Sequence, residues 1–208
     1  MNDTKRLLIV AGAVFVVAFG VGLALLGPEV GAFGDSDAAF VEHFSTGSQR
    51  AADIAGSALL AGAAVAFMVF AHVIASAGAD AGDDRPARPT LVRTAGMLAG
   101  AFMIVAALAL VTVPLSISMG EFFDEEGKAF REGQAVLPQF GYVVLVFGAM
   151  IPAAVTVVAV ARLGCLRPWL TRASFPIAVL LAVTAGSVIT MALLPIWVAT
   201  ATVSMARS

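Results

Sequence analysis

One uncharged stretch limits the fold of this chain more than any other feature. Residues 173–206 contain no Asp, Glu, Lys or Arg and are rich in Ile, Leu, Val and Ala. A helix needs about 20 apolar residues to cross the hydrocarbon core of a bilayer. A soluble domain of this size could not bury an apolar run of that length, so we expect an integral membrane protein.

The composition of the whole chain supports this expectation. Of the 208 residues, 60% are hydrophobic and 12% are charged, whereas soluble domains carry about 25% charged residues. The net charge of −2 creates no basic field that would attract nucleic acid. Cys165 is the one cysteine, which excludes an internal disulfide and a CxxC redox pair. The expected partners are membrane lipid, another membrane protein or a second copy of the chain.

Apolar runs separated by polar connectors predict an all-α fold, a single domain built as a five-helix transmembrane bundle. The first run could be a secretory signal peptide, since Val30, Gly31 and Ala32 resemble a cleavage site. Its length and the four apolar runs after it favour a retained span. The predicted spans are about 7–26, 51–77, 91–117, 139–161 and 174–203.

Two acidic segments, 27–49 and 118–139, contain phenylalanines at roughly helical spacing. Aromatic residues on one face of a polar segment are typical of helices that lie in the membrane interface. We therefore expect two outer acidic loops, each bearing a short interfacial helix.

The distribution of Lys and Arg predicts the orientation. Five spans put the termini on opposite sides, and a cytoplasmic N-terminus leaves more cations inside than outside, as the positive-inside rule requires. Frequent Arg, Ala, Val and Gly indicate a high-GC bacterium, so we expect its inner (plasma) membrane, with the C-terminus outside. In the alternative, residues 173–206 form two half-spans meeting near Gly186, but 34 residues are too few for two full crossings at about 1.5 Å per residue. The inner cations are Lys5, Arg6, Arg85, Arg88, Arg93, Arg162, Arg167 and Arg172, and the outer ones are Arg50, Lys128, Arg131 and Arg207.

Polar side chains at membrane depth are candidates for function. Asp53 lies near the outer start of the second span and His72 lies deeper in it. Together with Thr184, Ser187 and Thr190 of the last span, they form the predicted polar cavity. The competing interpretations are a first-turn acid favoured by the helix dipole for Asp53 and a packed, hydrogen-bonded side chain for His72.

The sequence contains no recognisable catalytic or metal motif. His43 lies in an outer loop, so it cannot pair with His72 as an axial haem ligand. His43 with Glu42, Asp35 and Asp37 does not match a closed zinc site. GxSxG, HExxH and phosphate-binding glycine motifs are missing from the sequence. We therefore expect no catalytic residue, no metal site and no cofactor.

Small and aromatic residues suggest packing faces and interfacial anchors. Small residues let membrane helices approach closely, and the candidates here are four glycines. Gly96 and Gly100 form a GxxxG pattern, for which a contact within the chain is favoured over one between two copies. The packing candidates are Gly56, Gly62, Gly96 and Gly100; the candidate interfacial anchors are Tyr142, Trp169 and Trp197.

Three local features resemble a known group of proteins. The first acidic loop contains phenylalanines and ends in Arg50 before a small-residue helix, the fourth span begins with LPQFG at Leu137–Gly141, and a connector reads LRPWL at Leu166–Leu170. Together these resemble small multi-span membrane proteins of high-GC bacteria that contain a domain of unknown function. The resemblance implies a compact helical bundle and supplies no catalytic residues.

The sequence thus predicts a non-catalytic accessory or scaffold protein, or a bundle that binds lipid or a small ligand. The first alternative is a small-solute transporter or channel, based on Pro114, Pro152, Pro195 and the Thr/Ser face of the last span. The second is an enzyme acting on lipid at the outer surface, which requires His43, Glu42 or Asp53 to converge on one site.

Overall fold

The computed structural model describes residues 3–26, 43–80, 87–119, 131–183 and 191–207. These residues are helical almost throughout, as the sequence predicts. The elements are α1 (Asp3–Leu26), α2 (Gly47–Asp80), α3 (Ala87–Ser118), α4 (Arg131–Val143), a π-helical segment (Val144–Ala149), α5 (Met150–Ala161), α6 (Pro168–Val183) and α7 (Leu193–Ala206).

Four helices in the described ranges are long and apolar enough to cross a bilayer. They contain 24, 33, 32 and 26 residues and cover the first four predicted spans. The fourth is the continuous helix made by α4, the π-helical segment and α5, and its apolar part is Val136–Ala161. The interfacial helices expected in segments 27–49 and 118–139 fall mostly on residues 27–42 and 120–130, outside the described residues. The described residues 43–49 and 131–139 belong to the turn before α2, to α2 and to α4.

The π-helical segment lies directly before Pro152 in the chain. Proline has no N–H to donate, and its ring clashes with the carbonyl four residues earlier, here that of Gly148. Gly148 also packs against Phe102 of α3, where a Cβ would lie 2.9 Å from the ring. The helix is therefore irregular at a position where it packs closely on α3.

Small residues form the closest helix contacts inside the bundle, and a separate set of large aliphatic residues faces outward. α1 crosses α2 at Gly22 and Gly56, where a Cβ on Gly56 would lie 2.9 Å from the carbonyl oxygen of Gly22. Such contacts are expected when lipid removes the hydrophobic drive for helix association and close packing must supply it. The exposed aliphatic residues include Val10, Val14, Val17, Leu98, Val105, Leu108, Val155, Val179 and Val203.

The GxxxG glycines contact α2 within the same chain. A Cβ on Gly100 would lie 3.0 Å from the carbonyl oxygen of Ala64, and Gly96 packs directly on Ala71. Both glycines are buried, so they are not available to a second copy. Gly62, in contrast, is exposed and has no atom within 4 Å of its Cβ position. The sequence predicts that Gly62 packs against another helix, but within the bundle it does not.

An aromatic row joins α1, α2 and α7 in the core. Successive ring centroids are 5.2 Å apart from Phe19 to Phe15, 5.1 Å from Phe15 to Phe67, 6.3 Å from Phe67 to Phe70 and 6.5 Å from Phe70 to Trp197. All five rings are fully buried. Tilted and edge-on ring pairs at these distances stabilise a core beyond the burial of their surface.

The single helix predicted over 174–203 is wrong, because this region contains two antiparallel helices, α6 and α7. The Arg167 N–H donates to Ser204 Oγ at 3.1 Å, and the Trp197 indole N–H donates to Ser174 Oγ at 2.9 Å. The start of α6 thus lies beside the end of α7, which requires the chain to reverse direction. With 16 and 14 residues, the two helices are about 24 and 21 Å long, shorter than the ~30 Å hydrocarbon core.

This helical hairpin brings both termini to one end of the bundle. The α1–α2, α2–α3 and α3–α5 contacts are antiparallel, and Arg88 at the start of α3 donates to the Arg162 carbonyl after α5 at 3.0 Å. Gly12 of α1 packs against Thr202 of α7. The starts of α1, α3 and α6 and the ends of α2, α5 and α7 therefore share one end, which we call the basic end. Termini at opposite ends, as five single crossings require, do not fit this arrangement.

Candidate functional site

A histidine–carboxylate contact joins His43 to the buried Asp53, at the end opposite the basic end. His43 Nε2 lies 2.9 Å from Asp53 Oδ2. The Asp53 side chain is 1% exposed and the His43 side chain 19% exposed. A carboxylate this deeply buried requires a donor to offset its desolvation, and His43 supplies one at the edge of the bundle.

Local structure holds the imidazole over the carboxylate. His43–Ser45 form a helical turn just before α2, and one Arg50 guanidinium nitrogen donates to the carbonyls of Phe44 at 2.6 Å and Ser45 at 3.0 Å. Phe44 is buried and meets the His43 ring edge-on at 4.9 Å. Arg50 therefore fixes the turn and does not pair with Asp53. The helix-dipole interpretation of Asp53 places that acid close to Arg50.

Ser57 lies one helical turn deeper than Asp53 on the same face of α2. It is 2% exposed, and its Oγ has no hydrogen-bond partner among the described residues. Buried hydroxyls without a partner are uncommon in proteins and are often satisfied by water. Among the residues that the structure describes, this end therefore buries the Asp53 carboxylate and the unpaired Ser57 hydroxyl, with the partly buried His43 imidazole at the edge of the bundle.

The chemistry available to the pair is limited to holding and exchanging a proton. A buried acid that orients an imidazole is one half of the arrangement found in hydrolytic triads. No hydroxyl or thiol bonds to His43 in the part of the chain that the structure describes, and Ser57 does not reach it. A lipid-directed enzyme would require His43, Glu42 or Asp53 to meet at one site. His43 and Asp53 do meet, but no nucleophile lies beside them among the described residues. Glu42 lies outside the described residues.

The other predicted cavity residues do not join this site. His72 is exposed on α2, about 28 Å from Asp53 along the helix axis. Thr184, Ser187 and Thr190 lie outside the described residues, as do Asp35 and Asp37. Among the described side chains no group of three or more His, Cys, Asp or Glu could hold a metal ion.

Three buried hydroxyls in the bundle bond to their own helices. Thr156 donates to the Pro152 carbonyl at 2.9 Å, Ser174 to Leu170 at 2.8 Å, and Thr202 to Val198 at 2.7 Å. Bonds of this kind satisfy a hydroxyl locally. These three side chains therefore support the helices and leave no donor for a bound solute.

The predicted anchors occupy three different environments. Trp169 is 57% exposed beside α7, at the basic end. Tyr142 is partly buried and packs against the core. Trp197 is fully buried between Phe70 and Ser174, so it is a core residue and not the interfacial anchor that the sequence predicts. Its placement follows from the chain reversal before α7.

His43 is the functional candidate whose role the sequence did not indicate. The sequence offered His43 as a metal ligand with Glu42, Asp35 and Asp37, and grouped it with Asp53 only among the residues that a lipid-directed enzyme would need at one site. The two side chains are ten residues apart and lie on either side of the start of α2, a spacing that matches no recurring motif. The buried position of Asp53 in an apolar helix was the available signal, since such an acid requires a partner.

Comparisons of the chain with protein-family models, with curated proteins and with solved structures found no match.

Proposed function

We propose that this chain is a non-catalytic multi-pass protein of the bacterial plasma membrane, which binds lipid or a small ligand or serves as an accessory subunit. The observation that carries the proposal is that Thr156, Ser174 and Thr202 are each satisfied by their own helix. A catalytic or solute-conducting interior needs polar groups that can turn to a ligand. A core of aromatic and small residues is instead suited to rigid packing.

The proposed orientation places both termini in the cytoplasm. The helical hairpin moves Arg207 to the basic end, so nine of the twelve Lys and Arg residues belong to segments at that end and three to the other. This bias is stronger than the eight to four of the five-helix arrangement, and the side richer in Lys and Arg is cytoplasmic under the positive-inside rule. Lys5, Arg6, Arg85, Arg88, Arg93, Arg162, Arg167, Arg172 and Arg207 are the nine.

An accessory role would use the outward face of α2. Gly62 is open to the surroundings and has exposed Ala55 and Ala58 on the same face. A neighbouring transmembrane helix could approach closely here, as small residues allow. The GxxxG pair in α3 cannot serve this purpose because α2 covers it.

Purification from the native membrane in a mild detergent, followed by mass spectrometry, tests the proposal. We expect a retained lipid or a membrane protein in fixed proportion. Gly62→Ile should release a protein partner, whereas Val65→Ile, an exposed change close by on α2, should not. Substrate turnover by the purified chain alone would contradict the non-catalytic assignment.

The second candidate function is transport of a small solute, favoured by the helical hairpin. Helices too short to cross the bilayer alone, packed inside a bundle, are a recurring feature of transporters. The connection between α6 and α7 contains Thr184, Ser187 and Thr190. Solute flux in proteoliposomes that is reduced by Thr190→Val but not by Thr200→Val, whose hydroxyl bonds to its own helix, would favour transport over the first proposal.

A further inference from the structure

An apolar cavity with two arginines at its rim lies at the basic end, between the start of α6 and the last turns of α7. Its volume is about 300 Å³, and its polar rim residues include Arg167 and Arg207, with Trp169 and Val203 along its walls. The surface of the cavity is almost entirely apolar. This size is at the lower end of ligand pockets in proteins.

The polar atoms of the cavity other than the guanidinium groups already have partners. Ser204 Oγ accepts the Arg167 N–H, and the Thr200 hydroxyl bonds to the carbonyls of Ile196 and Trp197. In contrast, the Arg167 and Arg207 side chains are exposed and form no ion pair within the described ranges. Arg167 and Arg207 are therefore the two cationic residues that line this apolar cleft, and their guanidinium groups are available to a ligand.

The segments at this end contain nine Lys and Arg residues against four acids, Asp3, Asp80, Asp83 and Asp84. Seven Lys and Arg side chains at this end are exposed, whereas Asp3 is the one acid at this end whose side chain the structure describes. Tryptophan beside such a cleft is typical of the level of the lipid headgroups. Basic pockets between membrane helices bind acidic lipid headgroups. The exposed cations are Lys5, Arg6, Arg93, Arg162, Arg167, Arg172 and Arg207.

We propose that this cavity binds one anionic phospholipid of the adjacent leaflet. Arg167 and Arg207 hold the phosphate by charge-assisted hydrogen bonds, Trp169 lies beside the glycerol region, and the upper part of an acyl chain fills the apolar cleft along Val203. The proposal rests on the lipid-binding form of the proposed function and names the class of lipid and its site.

The two tryptophans provide a direct measurement. Trp169 is exposed at the cavity and Trp197 is fully buried, and the chain has two tryptophans in all. The protein is reconstituted in phosphatidylcholine containing a few mole per cent of phosphatidylglycerol brominated near the headgroup end of its chains. Brominated phosphatidylcholine at the same mole fraction is the reference, because bulk lipid quenches Trp169 to the same extent in both samples.

We expect brominated phosphatidylglycerol to quench several-fold more than the reference, and Trp169→Phe to remove that difference. Arg167→Gln with Arg207→Gln should weaken the lipid affinity about thirtyfold, given about 1 kcal/mol for each basic residue near the membrane surface. Arg93→Gln with Arg162→Gln removes the same charge at the same end, away from the cavity. This variant should keep most of the difference in quenching between the two brominated lipids.

Three outcomes would overturn the proposal. Equal quenching by the two brominated lipids would mean that no site selects the anionic headgroup. Equal losses in the two arginine pairs would mean that attraction is spread over the whole basic end. Full displacement by millimolar inorganic phosphate would mean that a free anion, not a lipid, is the ligand. Substrate turnover by the protein would contradict the proposed function and leave this site intact, so the two failures are distinguishable.

Discussion

One hydrogen bond satisfies the buried indole N–H of Trp197. Its indole N–H donates to Ser174 Oγ, which in turn donates to the Leu170 carbonyl. We expect Ser174→Ala to cost about 1–3 kcal/mol of unfolding free energy, because it leaves a fully buried N–H without an acceptor. Trp197→Phe removes the indole N–H, so no buried donor is left without an acceptor. The smaller ring leaves a void, however, and the change should cost a similar amount.

Unfolding by SDS titration in mixed micelles measures both variants. The double variant, Ser174→Ala with Trp197→Phe, should cost clearly less than the sum of the two single changes, since the residues form one interaction. Strict additivity would mean that the α6–α7 hydrogen bond contributes nothing, and that packing alone holds the helical hairpin.

The His43–Asp53 pair should respond unequally to the loss of each partner. His43→Phe keeps the ring against Phe44 but leaves the 1% exposed carboxylate without its donor, and we expect a loss of about 2–4 kcal/mol. Asp53→Asn leaves a histidine that still reaches solvent, so about 1 kcal/mol is expected. The free energy of unfolding at neutral pH measures both, and a larger loss for Asp53→Asn would contradict this account.

Cys165 should be a slowly reacting thiol despite its place in a connector. Burial raises the pKa of the Cys165 thiol, and only the thiolate attacks alkylating reagents. At a given pH below that raised pKa, the thiolate fraction is smaller than for an exposed cysteine. The rate of maleimide labelling of Cys165 should therefore rise at a higher pH than the rate for an exposed cysteine in the same connector. The reference is the double variant Arg162→Cys with Cys165→Ser. Identical pH profiles would show that the thiol is open to water.

At the scale of the helix, two glycines of α2 with similar sequence surroundings should behave oppositely. Gly56→Ala places a methyl group 2.9 Å from the Gly22 carbonyl oxygen, so α1 must move away, at about 1–3 kcal/mol. Gly62→Ala meets no atom within 4 Å and gains up to about 1 kcal/mol of helix propensity. Melting of the purified protein compares them, and equal effects would mean that the α1–α2 crossing is looser than it is in the structure.

The sequence predicts the four long helices well because each is a long apolar run between polar segments. It gives the helical hairpin only as the disfavoured alternative, two half-spans meeting near Gly186, because α6 and α7 lie within one uncharged run and differ from a single helix only in direction. The excess length was a signal: 34 residues would form a helix of about 51 Å, whereas a bilayer core is ~30 Å thick. Half-length helices are stable here because Trp197, Leu181 and Leu194 pack fully inside the bundle.

The pairing of residues in the candidate site could not be predicted from the sequence, because it depends on contacts between residues that no local sequence motif links. Asp53 could be selected from its apolar surroundings, but the position of His43 follows from the turn before α2 and from the carbonyls that Arg50 binds. Similarly, Arg167 and Arg207 are 40 residues apart and meet only because the chain reverses. Residue type indicated which groups were candidates, and chain topology decided which of them could act together.

At the scale of the whole molecule, the bundle separates charge and polarity between its ends. One end has exposed Arg167 and Arg207 around an apolar cavity, and the other has a buried carboxylate with its imidazole. These features lie on opposite sides of a core that contains a continuous aromatic row from α1 to α7. Each site can therefore be altered without touching the other, so variants at one end serve as controls for experiments at the other.

The arrangement of the whole chain leads to a prediction about topology. Since α6 and α7 return the chain to the basic end, reporter fusions at the N-terminus and at the C-terminus should both report the cytoplasm, as the excess of Lys and Arg there requires. Insertions in the 27–42 and 120–130 segments should report the outer side. A C-terminal fusion active outside, with the N-terminal fusion inside, would mean that residues 173–206 cross the membrane once and that the Arg167–Ser204 and Trp197–Ser174 contacts do not form in the bilayer.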